Sequence, residues 1–361
     1  MGVTNQCPED WEQRPVLLLQ HGGLTSLTGK TGLALLRHRR GPIAAVIDPD
    51  QAHGSLLEIT GIDRNVPIVP DLAAALPYRP AVAVVGLAPS GGVLPNPVRR
   101  DALAALQAGL SLASGLHTQL AEDPEFKAAC QAGQWIWDVR CEPPTLQVGQ
   151  ARAAALSCQR VLAVGTDMAV GKMSACLALQ AAAARSKRVC RFVGTGQAGI
   201  LISGRGVPLD AVRLDYAAGA VEAAVLEAGS ELSARDLLVV EGQGSLCHPG
   251  SSATLPLMRG CQPTALLMVH RAGQSTIGRL PEVPLPPLRE CIRLCESLAA
   301  IARPQGSGPP PKVKALAINT ATLSAVEAER AIKTFQDELG LPCEDPIRNQ
   351  ADGLLEIFLD G

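Results

Sequence analysis

The sequence predicts an α/β protein of two domains, each a parallel sheet covered by helices, and three observations carry that prediction. Short Val/Ile/Leu-rich runs alternate with helical stretches along the chain, the pattern of strands joined by crossover helices. At 361 residues and 47% hydrophobic content the chain is long enough for two cores, because single domains usually hold about 100 to 200 residues. The run from Val161 to Ser174 takes an apolar strand straight into a glycine-framed loop ending in Gly171-Lys172, the layout of a phosphate-binding loop.

Taken in order, residues 1–14 are expected to form a tail. Residues 15–150 read as a Rossmann-like domain with strands at Val16 to Gln20, Ile43 to Asp48, Pro67 to Val69, Ala81 to Gly86 and Trp135 to Val139. Glycine and proline gather after the strands, in Gly86 to Gly92 and in Ser114-Gly-Leu-His117, and in such sheets ligands sit beyond the carboxyl ends of strands. The segment Gly22 to Thr31 imitates a second phosphate loop, but Leu24 stands where its first glycine belongs, so it is read as the start of a helix.

Residues 141–159, with Pro143-Pro144, look like the connection to a second domain, bounded at 151–361. Strands are predicted there at Val161 to Val164, Val189 to Val193, Leu237 to Val240, Ala265 to Val269 and Val313 to Ile318. Helices are predicted at Met173 to Arg185 and Tyr216 to Ala228. Ser324-Ala-Val-Glu327 reads as a capping box opening a helix to Leu339. The Pro/Gly-rich stretch Pro304 to Pro311 is a loop, because one more strand and helix follow it.

Composition narrows the partners. The 32 basic and 34 acidic side chains leave a net charge of -2, without a basic run, and aromatics are only 2%, so neither the electrostatic footprint nor the stacking platforms of a nucleic-acid binder are present. No apolar run reaches about 18 residues, and the N-terminus lacks a basic start followed by an apolar stretch. A cytoplasmic protein is expected, with no membrane or nucleic-acid partner, acting on small molecules and associating with further copies of itself. Eleven cysteines without a C-x-x-C pair support neither a disulfide framework nor a zinc site, and no metal is expected. Cys291 and Cys295 share a helical face and read as small apolar residues.

Between Gly165 and Gly171 lie five residues, with Thr166 in the first-glycine position. Backbone N–H groups of such a turn converge on an anion, the helix N-terminus adds partial positive charge, and Lys172 adds an ammonium. Met173 follows Lys172, where nucleotide hydrolases keep the hydroxyl that binds magnesium. A diphosphate is therefore implied more strongly than a magnesium nucleotide. The candidate cofactor contacts are Gly165, Thr166, Asp167, Val170, Gly171, Lys172, Met173 and Ser174.

Glu241 ends the strand Leu237 to Val240 and is either an acid–base group or a cap for nearby turn amides. His248 is read as a base or as structural, and Asp215 as a helix N-cap or a base. Gly194-Thr-Gly-Gln-Ala-Gly199 supplies amides and the side chains of Thr195 and Gln197 for carbonyl or carboxylate oxygens. Asn319 could read a purine edge or form a turn. Arg140 and Arg271, at strand ends, are candidate carboxylate anchors or ordinary surface cations.

Gly165-Thr-Asp together with Val240-Glu-Gly-Gln-Gly244 resembles dethiobiotin synthetase. A closer resemblance runs through Ser114-Gly-Leu-His-Thr118, Ile136-Trp-Asp-Val-Arg140, Gly165 to Met173, Thr195-Gly-Gln197, Glu241-Gly-Gln-Gly-Ser-Leu246 with His248-Pro249, and Asn319-Thr320. These segments are similar to the two-domain P-loop family, once of unknown function, whose characterised branch is the DgcN-like D-glutamate N-acetyltransferases. The likeness covers about Pro15 to Leu359. It implies a Rossmann-like domain followed by a P-loop NTPase-like domain, and transfer of acetyl from acetyl-CoA to the amino group of D-glutamate or a related amino acid.

The resemblance makes sense of Met173, since coenzyme A carries a diphosphate to be gripped and not broken. Glu241, Asp215 and His248 then compete to be the catalytic base, loop amides stabilise developing oxyanion charge, and Asn319 joins the cofactor contacts. The implied substrate contacts are Thr195, Gln197, Arg140, Arg271 and His117. Two other readings compete: an ATP/magnesium-dependent ligase or kinase of dethiobiotin synthetase type, in which Ser174 must supply the magnesium hydroxyl one place late, and a nucleotide or CoA sensor without turnover.

Overall fold

The computed structural model describes residues 2–4, 7–89 and 93–359; of the loop read at 86–92, Ser90 to Gly92 lie outside them. The chain divides into two compact units. The first holds Met1–Pro144 together with Gln197–Ala211, and the second holds Thr145–Gly196 and Val212–Gly361.

The first unit is a seven-stranded sheet: β1 (Gly2–Thr4), β2 (Val16–Leu19), β3 (Ile43–Ile47), β4 (Ile68–Val69), β5 (Val82–Val85), β6 (Ser111–Ser114) and β7 (Trp135–Asp138), in the order β1-β7-β6-β5-β2-β3-β4. All its pairings are parallel. Strands β2 and β5 are buried along their whole length, which is why they read as continuous aliphatic runs. Residues 1–14 are more than a tail. Gly2–Thr4 pairs with β7, and Trp11 is buried against Trp137 at 5.1 Å between ring centroids. Strand β6, Ser-Leu-Ala-Ser, is too short and too polar to stand out by pattern.

Residues 197–211 leave the second unit's sequence and fold with the first. Trp11 Nε1 and Arg39 Nη1 both donate to the Leu201 carbonyl, at 2.9 and 3.4 Å, while the Arg39 guanidinium stacks 4.4 Å over the Trp11 ring. Burial pulls Arg39 down to about 10.

The second unit is a six-stranded parallel sheet of order β15-β14-β11-β8-β10-β9. Its strands are β8 (Gln159–Gly165), β9 (Cys190–Val193), β10 (Leu237–Val240), β11 (Ala265–Arg271), β14 (Lys312–Asn319) and β15 (Cys343–Glu344). A separate antiparallel hairpin joins β12 (Thr276–Ile277) and β13 (Leu280–Pro284). Strand β8 lies between β10 and β11, so the loop that follows it emerges at the middle of the sheet's carboxyl edge. Ser324 and Glu327 form the reciprocal capping box, and that helix runs to Leu339. Glu222, buried in the helix Ala217–Gly229, accepts from the amides of Gln150 and Arg152 and from Arg152 Nε at 2.6 Å. No helix among the described residues is long and apolar enough to cross a membrane.

Candidate functional site

In the second unit β8 feeds directly into the loop 166–171 and the helix Lys172–Arg185. Gly171 caps that helix at φ +117, a left-handed conformation that favours glycine. The first bond inside the helix runs from the Ala175 amide to the Gly171 carbonyl. The amides of Gly171 to Ser174 therefore stand ahead of the helix's own ladder, at the positive end of its dipole.

The rest of the loop is braced from three sides. Thr166 Oγ1 and His270 Nδ1 lie 2.9 Å apart. The His270 ring meets Phe335 edge-on at 5.4 Å, and burial drives its pKa down to about 4, so it braces as a neutral imidazole. Ser245 Oγ donates to the Thr166 carbonyl at 2.9 Å. Asp167 Oδ2 accepts from Gln274 Nε2 and the Gly278 amide, each at 2.6 Å, which anchors the loop to the β12–β13 hairpin. Asn319 Nδ2 donates to the Val170 carbonyl at 2.9 Å, while its Oδ1 accepts from the Ala321 amide. Arg271 Nη2 donates to the Ala169 carbonyl at 2.7 Å. Asn319 and Arg271 are thus loop braces in this geometry.

Lys172 is 6% exposed, and its ammonium donates to the Asp167 carbonyl at 2.8 Å. Burial lowers its pKa to about 8, against the pull of Glu241 and Asp167. Gly242 makes room for the lysine stem, because a Cβ there would fall 1.8 Å from the Ala163 carbonyl oxygen and 2.8 Å from Lys172 Cδ.

Glu241 follows β10 and is buried. Its Oε2 accepts from the Thr195 and Gly196 amides at 2.9 and 3.3 Å, and its Oε1 from Gln243 Nε2 at 3.3 Å. The Thr195 hydroxyl donates to the Glu241 carbonyl at 2.8 Å. Burial raises the carboxyl to about 7, although these two amides and Lys172 favour its ionised form. The carboxylate thus caps the turn amides of Thr195 and Gly196, and its raised pKa leaves the acid–base reading open to it. Glu241 and Lys172, within each other's field and titrating near 7 and 8, can hold and move a proton at neutral pH.

The other candidate bases stand differently. Asp215 is exposed in a short turn at Leu214–Tyr216; its side chain caps neither that turn nor the helix Ala217–Gly229 that follows. It lines a cleft of about 710 Å³ with Leu246 and Arg259, and that lining includes neither Glu241 nor the loop. The geometry thus supports neither its N-cap reading nor its grouping with Glu241. His248 Nδ1 accepts from the Gly250 amide at 3.0 Å, which serves the turn at 248–251.

Three predicted substrate contacts belong to the first unit. Gln197 Nε2 donates to Thr31 Oγ1 at 3.1 Å. Arg140 pairs with Asp210 at 3.3 Å and hydrogen-bonds His117 through its guanidinium. Arg140 is therefore committed to protein partners there. In the same unit the Gly22–Thr31 segment is filled by protein acceptors: Asp48 takes the Gly22 and Leu24 amides at 2.8 and 3.2 Å, and the Gly86 carbonyl takes the Gly32 amide. Reading it as a helix start, not a phosphate site, agrees with this geometry.

Sequence reasoning passed over Gln243, Gln274, His270 and Ser245. Gln243 and Ser245 sit inside a motif already singled out, and His270 directly precedes Arg271. Nothing local marks Gln274.

The chain matches two family descriptions: DUF1611_N, a Rossmann-like domain of unknown function, over residues 49–142, and DUF1611_C, a P-loop domain of unknown function, over residues 147–355. It is 35% identical over 311 residues to a protein of Tritonibacter scottomollicae named D-glutamate N-acetyltransferase, a match covering 85% of this chain and 90% of the relative. A Pseudoalteromonas protein of the same name is 32% identical over 274 residues, 75% of this chain and 79% of its own. A crystal structure of a DUF1611 family protein from Anabaena variabilis is 51% identical, covers 97% of this chain and all of its own, and superposes with a TM-score of 0.89.

Proposed function

The chain belongs to the DUF1611 family, and from that premise we propose that it is an N-acetyltransferase moving acetyl from acetyl-CoA to the amino group of D-glutamate or a related amino acid. The reading is carried by the two relatives of that name, which match most of the chain. The buried Glu241 carboxyl, raised to about 7 by its burial, supports the reading as the candidate base.

In this reading the amides of Gly171 to Ser174 and the Lys172 ammonium hold the diphosphate of coenzyme A. The bound thioester supplies an activated acetyl group, and Met173, in the place of a magnesium-binding hydroxyl, costs such a reaction nothing. Glu241 takes a proton from the acceptor's ammonium so that the amine becomes a nucleophile. Its burial keeps it partly protonated at neutral pH, and the Thr195 and Gly196 amides hold it in one orientation.

The deciding experiment incubates purified protein with acetyl-CoA and D-glutamate and follows the N-acetylated product by mass, beside a mixture with ATP and magnesium in which phosphate is followed. Product that requires both acetyl-CoA and D-glutamate supports the proposal. Phosphate release without acetylated product would replace it with the ATP-dependent ligase or kinase, and tight CoA binding without either product would make the protein a sensor.

A further inference from the structure

The thiols of Cys247 and Cys291 meet in the second unit with their Sγ atoms 3.6 Å apart. They come from different elements: Cys247 from the turn after Glu241 to Ser245, and Cys291 from the helix Leu288–Ala299. Cys291 is 2% exposed, whereas Cys247 is half-buried and reachable from solvent. The turn that carries Cys247 is fixed by Ser245, whose hydroxyl accepts the Cys247 amide at 3.1 Å and donates to the Thr166 carbonyl of the glycine loop. A third thiol, Cys295, lies one turn further along the same helix and is buried.

We propose that Cys247 and Cys291 are a redox-modifiable pair that closes into an intramolecular disulfide on reaction with a low-molecular-weight disulfide, tying the helix Leu288–Ala299 to the turn that braces the glycine loop. The exposed member attacks first. The Cys247 thiolate attacks one sulfur of oxidised glutathione, forming a mixed disulfide and expelling one glutathione thiolate. Cys291 then gives its proton to solvent and attacks Cys247 Sγ, breaking the mixed disulfide and releasing the second glutathione. Two protein thiols are oxidised and one small disulfide is reduced to two thiols.

The chemistry suits the two positions. The contact with Cys291, whose thiol also lies 3.6 Å from the Pro286 carbonyl, together with the Ser245 hydrogen bond lowers Cys247 to about 7, although burial and the Asp167 charge oppose this. Cys291 is held well above the usual thiol range by the same contact and by burial. An accessible thiol with thiolate character beside a buried resolving thiol is the arrangement in which exchange proceeds to an internal disulfide. The sulfurs must close from 3.6 Å to about 2.05 Å, a displacement within reach of a turn and a side-chain rotation.

The test treats the full chain with oxidised glutathione, alkylates the remaining thiols after denaturation, and digests with trypsin. Trypsin leaves Cys247 alone in 236–259, Cys291 in 290–293 and Cys295 in 294–312, because Pro304 blocks cleavage after Arg303. The expected result is a cross-link of 236–259 to 290–293, a fall from eleven alkylatable thiols by two, and full recovery with dithiothreitol. Cys247→Ser, at a half-buried position, should abolish the cross-link and keep the fold; Cys291→Ala should abolish it, and Cys295→Ala should not. Retention of all eleven thiols, a glutathione adduct that stays on Cys247 unresolved, or a cross-link that persists in Cys247→Ser would overturn the proposal.

Discussion

Two loops in this molecule have nearly the same spelling and different hydrogen-bonding surroundings. In the first unit β2 leads through a glycine-rich turn to the helix that opens at Lys30, and in the second unit β8 leads through another to the helix that opens at Lys172. The difference lies in what neighbouring strand ends do with the amides. Asp48, directly after β3, turns its carboxylate onto the Gly22 and Leu24 amides of the adjacent loop, and the Gly86 carbonyl takes the amide of Gly32. Glu241, directly after β10, turns instead to the Thr195 and Gly196 amides, and Asp167 bonds Gln274 and Gly278 through Oδ2 and the Met168 amide of its own loop through Oδ1. Lys30 is exposed while Lys172 is buried. The first loop's amides are thus taken by a carboxylate from a neighbouring strand end, whereas in the second Asp167 Oδ1 takes the Met168 amide at 2.6 Å, ahead of the row Gly171 to Ser174 that we assign to an anion.

The largest effect separating the two regions should come from Glu241. Glu241→Gln keeps an acceptor for the Thr195 amide but cannot take a proton, so acetyl transfer should fall by about 10²- to 10⁴-fold with CoA affinity retained. In the parent protein kcat/KM should rise with pH through about 7, because the proton on Glu241 must leave before it can act. Stability moves the other way: folding raises this carboxyl from 4.5, so its contribution is present below about 4.5 and lost as pH rises through about 7. A turnover rate unchanged by the substitution would remove Glu241 from the mechanism.

Next comes the lysine pair. If Lys172 holds the diphosphate as proposed, Lys172→Ala removes a charge-assisted donor, about 1.5 to 3 kcal/mol, and should weaken CoA binding by roughly 10- to 150-fold. Lys30→Ala should leave binding within experimental error. Calorimetric titration of both variants tests the contrast, and equal losses would erase it.

Much of this was legible in the sequence, for reasons that can be named. Strands buried on both faces announce themselves as aliphatic runs, so Leu237–Val240 and Ile43–Ile47 stood out, and a capping box is a local device, so Ser324 and Glu327 were readable as one. The glycine loop and Glu241 were visible because strand-end polar groups contrast with the apolar strand before them. What was hidden depends on distance along the chain. That Asp48 fills the first loop, that Gln274 and Gly278 hold Asp167, and that 197–211 docks through Leu201 on Trp11 and Arg39 are tertiary pairings with no local signal. Asp215 shows the converse, a polar residue beside a helix that invited an N-cap reading which the local geometry does not support.

A smaller effect should follow from removing the carboxylate that fills the first loop. Asp48 is fully buried, and Asp48→Ala leaves the Gly22 and Leu24 amides without their acceptor. The cost should be about 1 to 3 kcal/mol, read as a lower denaturant midpoint. CoA affinity measured on the folded protein should not change. A gain of phosphate affinity in this variant would sharpen the comparison, because it would mean that the carboxylate alone keeps the first loop from being an anion site.

The smallest effect concerns the amide side chains that brace each loop from a strand end. Gln20, directly after β2, donates to the Gly29 carbonyl at 3.3 Å, and Asn319, ending β14, donates to the Val170 carbonyl at 2.9 Å. Each bond is worth about 0.5 to 1.5 kcal/mol, but the two should be felt in different measurements. The Val170 carbonyl adjoins Gly171, whose amide begins the row we assign to the diphosphate, so Asn319→Ala should weaken CoA binding by roughly 2- to 12-fold with little change in unfolding midpoint. The Gly29 carbonyl lies in a loop whose Gly22 and Leu24 amides are already taken by Asp48, so Gln20→Ala should lower the midpoint and leave CoA affinity alone. Swapped outcomes would mean that the loop at 165–172 is rigid without its brace, and that its geometry is set by β8 and the Thr166 contacts to His270 and Ser245 instead.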